Sequence, residues 1–283
     1  MISVIIPTFN RSDKLSETIQ NIINQSYKNI ELIIVDDGSD DNTAQIIKKF
    51  NYNIHYIKHN ENLGTVSARL TGINNATGKY IAFLDDDDMW SEKKIELQKL
   101  ALDNNKNLDF IMCNYKVNDA IKKTQYEVNL NKFALNYQKL IHSKPGPFLQ
   151  CCLFRSEFIK THYNLFDENS MPSEDWDWFL SIATINPEIE NINQILFTWN
   201  LSSISQSANI KKEAKAIEYI IEKHQKNIIL FTNKKNLSLQ YRRIAGMYKV
   251  LKKYALTKKF YNKAYQCNPL SIKNIMYKIQ YIK

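Results

Sequence analysis

Along the first 90 positions, short apolar runs alternate with stretches whose apolar residues recur every three or four positions. The short apolar-rich runs at 3–7, 31–35, 54–57 and 80–84 predict strands, those at 3–7 and 80–84 buried ones. Between them, Leu15, Ile19, Ile22 and Ile23 follow Ser12, a candidate cap, at helical spacing. A second helix is predicted from Asp41 or Asn42 through Ile46 and Ile47, and a third over 65–75 with Arg69 inside it. Strand and helix in strict alternation predict an α/β fold, a mostly parallel, doubly wound central sheet flanked by helices.

The pattern then loosens. A helix is predicted from Ser91 to about Leu102, a strand over 109–115, strand and loop over 116–132, and a sharp break at Pro145-Gly146-Pro147. An apolar strand is predicted at 148–154, and Ser173 is placed to cap a helix opening Glu174-Asp175-Trp176-Asp177. Past Asn209 only helical periodicity remains, with Tyr241, Ile244, Met247, Tyr248 and Leu251, then Phe260, Tyr261 and Ala264. The expected organisation is an α/β body over 1–209 and a helical extension over 210–283.

Charge sharpens that division. Residues 210–283 hold 18 Lys and Arg against three acids, a net of +15, whereas the remainder holds 20 basic and 26 acidic residues, a net of −6. A basic extension on an acidic body, without a nucleic-acid motif, predicts no nucleic-acid partner; its lysines could instead meet an anionic membrane. No apolar stretch approaches the roughly 20 residues of a membrane helix, and the first residues lack the basic start and long apolar core of a signal peptide. The expected location is the cytoplasm, peripheral at the inner face of the plasma membrane if the extension binds lipid. Cys113, Cys151, Cys152 and Cys267 show no metal-type spacing and are expected to be reduced thiols.

The most informative local feature is the run Asp85-Asp86-Asp87-Asp88 directly after a buried strand. On an extended chain Asp85 and Asp87 would point one way and Asp86 and Asp88 the other, so two hard oxygen donors would converge. Such a pair suits Mn²⁺ or Mg²⁺, which take one or two carboxylates together with substrate phosphate oxygens. An acidic turn ahead of a helix is the bland alternative. Thr8-Phe9-Asn10 and Asp36-Asp37 also end predicted strands, and ligands of doubly wound sheets sit at that rim.

Taken in order, Ile5-Ile6-Pro7-Thr8-Phe9-Asn10, Val35-Asp36-Asp37-Gly38-Ser39, Asn62-Leu63-Gly64, Ala68-Arg69, Phe83-Leu84-Asp85-Asp86-Asp87-Asp88 and Ser173-Glu174-Asp175-Trp176-Asp177 resemble the motif series of family 2 glycosyltransferases. The resemblance spans roughly the first 200 residues and implies a GT-A fold, a nucleotide-diphosphate-sugar donor such as a UDP-sugar, a divalent metal and inversion at the anomeric carbon. It implies that Pro7, Thr8, Asn10 and Asp37 serve the nucleotide, that Asp85 or Asp86 meets the ribose, and that Arg69 reaches the diphosphate or pairs with the acidic rim. By the same resemblance Asp87, with Asp85 or Asp88, holds the metal.

An acceptor hydroxyl needs a group to take its proton as it attacks. The resemblance makes Asp175 that base, with Glu174 orienting the site and Trp176 offering a ring face to an acceptor sugar. The implied acceptor is a glycan or lipid-linked glycan of bacterial lipooligosaccharide, capsule or O-antigen synthesis, receiving a hexose or N-acetylhexosamine. The resemblance departs at Asp86, where a small residue is usual. An inactive sugar-binding module of the same fold and a sugar-phosphate nucleotidyltransferase are the competing readings, the latter weakened because Pro7-Thr8-Phe9-Asn10-Arg11 has no glycine.

Overall fold

In the computed structural model the four amino-terminal apolar runs are strands: β1 Ile2–Thr8, β2 Ile30–Asp36, β3 Ile54–Lys58 and β4 Tyr80–Phe83. The structure describes residues 1–130, 136–142, 146–202 and 209–281. The strands lie in the order β3-β2-β1-β4, all parallel. Parallel neighbours cannot be joined by a tight turn, so the chain returns through the helices Ser12–Ile23, Thr43–Ile47 and Thr65–Asn75. Helices on the faces explain why every residue of β1 and β4 is buried and why these strands read as unbroken apolar runs. One crossover sits very close to the sheet: a Cβ on Gly72 would stand 2.3 Å from Ile5 Cγ2, so only glycine lets that helix reach β1.

The sheet continues through β5 Met89–Trp90, β6 Phe110–Asp119, β7 Thr124–Val128, β8 Leu153–Arg155 and β9 Ile189–Leu201. β8 joins β4 antiparallel and β6 lies antiparallel to β8. β9 runs parallel to β6, β5 pairs antiparallel with β9, and β7 hangs on β6. Most registered residue pairs are parallel, as the alternation predicts, with the antiparallel pairings gathered in the second half. Phe83, Phe110, Phe154, Phe158 and Phe166 pack edge-to-face or tilted beneath that half.

Several expectations are corrected. The predicted strand at 148–154 is a 3-10 turn, Leu149–Cys151, followed by the short β8. The bend lets Gln150 reach Asp85, while the carbonyl of Gln150 accepts from Trp90 Nε1 at 3.0 Å. β9 is unexpected: its polar sequence has no period of its own, and its ladder with β6, irregular around Asn114, supplies the order. Ser12 is not the cap but the first residue inside its helix, with Arg11 before it, and its N donates to Asp41 Oδ2 of the neighbouring loop at 3.0 Å; Ser173 precedes its helix but makes no side-chain cap bond. Pro145 of the predicted break, and the end of the predicted 116–132 segment, lie outside the described residues.

Two compact units result. One comprises Met1–Leu135, Lys144–Glu168 and Ile185–Ser203; the other comprises Asn136–Ser143, Asn169–Thr184 and Ile204–Lys283. The helix Glu174–Ile182 is thereby grouped with the carboxyl-terminal helices Ile210–Phe231, Lys234–Val250, Tyr254–Cys267 and Ile272–Tyr281, where a single cut after residue 209 leaves it with the strands. Cys113, Cys151 and Cys152 are buried and Cys267 is half-buried, and none of the four is in a disulfide.

Glu31 fastens the amino ends of the parallel strands. Its carboxylate accepts from Ser3 Oγ on β1 and from Thr77 N at 2.9 Å and Thr77 Oγ1 at 2.7 Å before β4. Burial pushes this carboxyl up, but the hydrogen bonds outweigh it and hold the group below the usual range. A depressed folded value adds stability above the unfolded value of about 4.3, lost as pH falls through the folded value. Glu31→Gln should therefore cost about 1 kcal/mol at neutral pH, the group being partly exposed. The gap between thermal melts of the two proteins should begin to close below about pH 4 and narrow further as pH falls; a constant gap down to pH 3 would sink the assignment.

Candidate functional site

The carboxyl ends of β1, β2 and β4 form one rim. Register places Thr8 beside Asp36, and Leu84 N donates to Ile5 O at 3.1 Å, so the aspartate run leaves the sheet next to the end of β1. Crossovers depart in opposite directions at this point, which makes the crevice between β1 and β4 the topological switch point of the sheet.

The run does not stay extended. Asp88 N donates to Asp85 O at 3.3 Å, closing a turn, so the strict alternation of side chains expected for an extended chain is lost. Each carboxylate has its own partners. Asp85 Oδ1 accepts from Arg69 Nη2 at 2.9 Å and its other oxygen accepts from Gln150 Nε2. Asp86 accepts from Thr8 Oγ1 at 2.7 Å and from Arg11 Nη1 at 3.0 Å, and the same Arg11 nitrogen donates to Asp87 Oδ2 at 2.7 Å. Asp88 accepts from Asn200 N at 2.8 Å, while Asn200 Nδ2 donates to Asp87 O at 2.9 Å.

Two arginines serve Asp85, Asp86 and Asp87, while Asp88 meets Asn200 instead. Burial, then the neighbouring carboxylates, push Asp86 up to about 7 against the opposing pull of Arg11 and Thr8. Burial likewise raises Asp87 and, more strongly, Asp88, whereas the aspartates raise Arg11 despite its own burial. Further positive charge is therefore welcome here. The Asp85 and Asp87 side chains are 32% and 21% exposed, against 6% for Asp86, and Asp88 is buried. Among the described residues no three His, Cys, Asp or Glu side chains form a metal cage. Mn²⁺ or Mg²⁺ bound with substrate phosphates needs only one or two carboxylates, so the donor set of Asp85 and Asp87 fits such an ion.

The β2 end is built differently. Asp36 accepts from Ser39 N at 2.7 Å and from the Tyr56 hydroxyl at 2.5 Å, which with burial raises the Tyr56 phenol. Asp37 Oδ1 accepts from Leu63 N at 2.9 Å and contacts His59 Nδ1 at 2.8 Å, and Asp37 Oδ2 accepts from Gly64 N at 2.7 Å. Three of its roughly four acceptor positions are thus used inside the protein. Gly38, at φ +84, lets this loop pass the backbone of Glu61, 2.7 Å from where a Cβ would stand. Asn10, itself at φ 52, ties the first loop to the second: its N donates to Ser39 Oγ and its Oδ1 accepts from Asp40 N, both at 2.9 Å. Pro7 is buried beneath them.

On the second unit, Glu174 and Asp175 open the helix Glu174–Ile182, each 8% exposed. Asp177 is wholly buried and bound by Lys223 Nζ and His224 Nε2, both at 2.7 Å. Trp176 Nε1 donates to Leu140 O at 2.9 Å, and the Arg243 guanidinium lies 5.3 Å from its ring centre.

The structure brings Thr8, Arg69 and Asp85 to Asp88 together, with Asn10 and Asp37 bracing adjacent loops. Sequence reasoning missed Arg11, Gln150 and Asn200. Arg11 had one signal, its place directly after the β1 end; Gln150 and Asn200 had none, because only tertiary folding brings them to the turn.

Comparison with known proteins agrees with this geometry. Residues 3–162 match glycosyl transferase family 2, and the chain belongs to that family. It is 33% identical over 225 residues to the Escherichia coli UDP-Glc:alpha-D-GlcNAc-diphosphoundecaprenol beta-1,3-glucosyltransferase WfgD, covering 76% of this chain and 83% of that one. An uncharacterized glycosyltransferase of Rickettsia bellii is 35% identical over 188 residues, which is 65% of this chain; the match spans only 26% of that relative. Among solved structures, S. aureus TarS 1–349 in complex with UDP-GlcNAc superposes with a TM-score of 0.70 at 16% identity, over 96% of this chain and 84% of that one. That likeness establishes the fold, a GT-A sheet with helices following it.

Proposed function

We propose that this chain is an inverting glycosyltransferase that moves one sugar, a hexose or N-acetylhexosamine, from a UDP-sugar to a glycan or lipid-linked glycan of a bacterial surface polysaccharide. The observation that carries this reading is the four-aspartate turn at the β1–β4 switch point, its carboxylates hydrogen-bonded by Thr8, Arg11 and Arg69. Family membership and the donor and lipid-linked acceptor in the name of the E. coli relative support it.

In this reading Pro7, Thr8 and Asn10 line the nucleotide side, and Asp37 meets the base through its remaining acceptor position. Asp86, hydrogen-bonded to Thr8, stands beside the ribose. Arg69 is almost wholly buried on Asp85, so it fits a role in fixing that carboxylate more than direct contact with diphosphate. Asp87, with Asp85, would hold Mn²⁺ or Mg²⁺, which when bound offsets the charge that grows on the departing diphosphate. Asp88, buried against Asn200, braces the turn. Asp175 takes the proton of the acceptor hydroxyl, and Glu174 beside it orients the acceptor. The Trp176 ring already carries Arg243, so only its other face is offered to a sugar.

The test is a donor screen. Purified protein is mixed with UDP-glucose, UDP-galactose, UDP-N-acetylglucosamine and GDP-mannose, with Mn²⁺ and undecaprenyl-diphosphate-linked or free saccharide acceptors, and nucleotide release is followed. One UDP-sugar should be turned over in an acceptor-dependent way. Binding of a UDP-sugar without turnover on any acceptor would favour the inactive binding module, and no binding at all would remove the enzyme reading.

A further inference from the structure

We infer that the outward face of the helix Ile272–Tyr281 is a docking surface for an anionic lipid bilayer. The helix has two unlike sides. Asn274, 1% exposed, donates to Ser238 Oγ, Ala264 O and Asn268 O at 2.9, 3.0 and 2.7 Å. Tyr277 and Tyr281 stack on Tyr261 at 4.1 and 5.1 Å between ring centres. These three positions fasten the helix to the two before it. Ile272, Ile275, Met276 and Ile279 recur at i, i+3, i+4 and i+7 on the opposite side and are 76, 41, 61 and 57% exposed, with Leu270 just before them 88% exposed. Lone exposed apolar residues are ordinary, but a helical stripe of them is not. At about 100° per residue, Lys273 and Lys278 fall between the two sides, one on each flank of the stripe.

Charge decides the occupant. From residue 223 to the last, the chain has 15 Lys and Arg and no Asp or Glu. A second copy would bring two such surfaces together, and like charges at close range oppose it. A nucleic acid would satisfy the lysines, yet Ile, Leu and Met offer it neither stacking rings nor hydrogen bonds. A bilayer with anionic headgroups satisfies both features: the aliphatic stripe enters the acyl boundary while the flanking lysines reach back to the phosphates. No helix among the described residues is long and apolar enough to cross a membrane, so the contact is interfacial. It would hold the chain at a surface whatever its α/β unit transfers.

The experiment is co-sedimentation of the full chain with vesicles of phosphatidylcholine alone or mixed with phosphatidylglycerol, at low and high salt. The protein should partition onto the mixed vesicles, weakly onto the neutral ones, and salt should release most of it. The variant Ile272→Ser/Met276→Ser/Ile279→Ser, altered only at exposed positions and checked by circular dichroism and thermal melting, should lose partitioning by about tenfold or more. Lys273→Gln/Lys278→Gln should lose several-fold and show a flatter salt dependence. Failure of the wild type to bind mixed vesicles overturns the inference, as does a folded triple-serine variant that binds undiminished. A dimer in sedimentation equilibrium that the triple-serine change makes monomeric would give the face to a second copy. Displacement from vesicles by RNA, at unchanged RNA affinity of the triple-serine variant, would show that charge alone governs.

Discussion

Asp175→Asn is expected to lower sugar transfer by roughly 100-fold or more while leaving UDP-sugar affinity nearly unchanged. Asparagine keeps the shape and much of the hydrogen bonding of aspartate but cannot accept the proton that the acceptor hydroxyl must lose. On the proposed reading donor binding belongs to the rim of the α/β unit, so isothermal titration with UDP should hardly change while kcat falls. A parallel loss of affinity and rate in a folded variant, or near-normal turnover, would remove Asp175 from this role. Asp177, two positions along, supplies the contrast. It is fully buried against the partly exposed Lys223 and the buried His224, so Asp177→Ala takes this acceptor from both and should cost about 2 kcal/mol of stability. A lower melting temperature for Asp177→Ala beside an unchanged one for Asp175→Asn would separate brace from base.

The second large effect is expected at the acidic turn. Chelation by EDTA should abolish transfer, Mn²⁺ or Mg²⁺ should restore it, and Asp87→Ala should lose both transfer and the metal-dependent part of UDP binding. Arg11 adds an arm that does not rely on turnover. Its guanidinium bridges Asp86 and Asp87, serving as the cation of the turn. Arg11→Gln should therefore melt lower without metal, yet bind Mn²⁺ several-fold more tightly in electron paramagnetic resonance titrations, because the carboxylates lose a competing charge. Full activity in excess EDTA, with no Mn²⁺ bound by wild type or Arg11→Gln, would reduce the run to an acidic turn.

Strands β1, β2 and β4 and the helices between them were readable because burial leaves a period in the chain, whereas β3, at the sheet's edge with no buried residue, was readable from its short apolar-rich run alone. The aspartate run, Thr8 and Asp37 were readable as chemistry because they end those strands, where parallel α/β sheets place their ligands. The helices past Asn209 were readable for the same reason of period, and their charge was a matter of counting. Partners were another matter. Nothing near Arg11 in sequence says that it spans Asp86 and Asp87, some 75 residues on. Gln150 and Asn200 reach the same turn from a 3-10 bend and from a strand with no hydrophobic period. The predicted alternation of the four carboxylates failed because one backbone hydrogen bond, Asp88 N to Asp85 O, bends the run. Likewise the periodicity of 272–279 marks an apolar stripe, but only the packing of Asn274 and Tyr277 shows that the stripe faces outward. Element type and rim chemistry follow from local period and composition, which a single chain displays. Which charge meets which carboxylate, and which helix face stays uncovered, depend on contacts between distant segments, and those exist only once the sheet has closed.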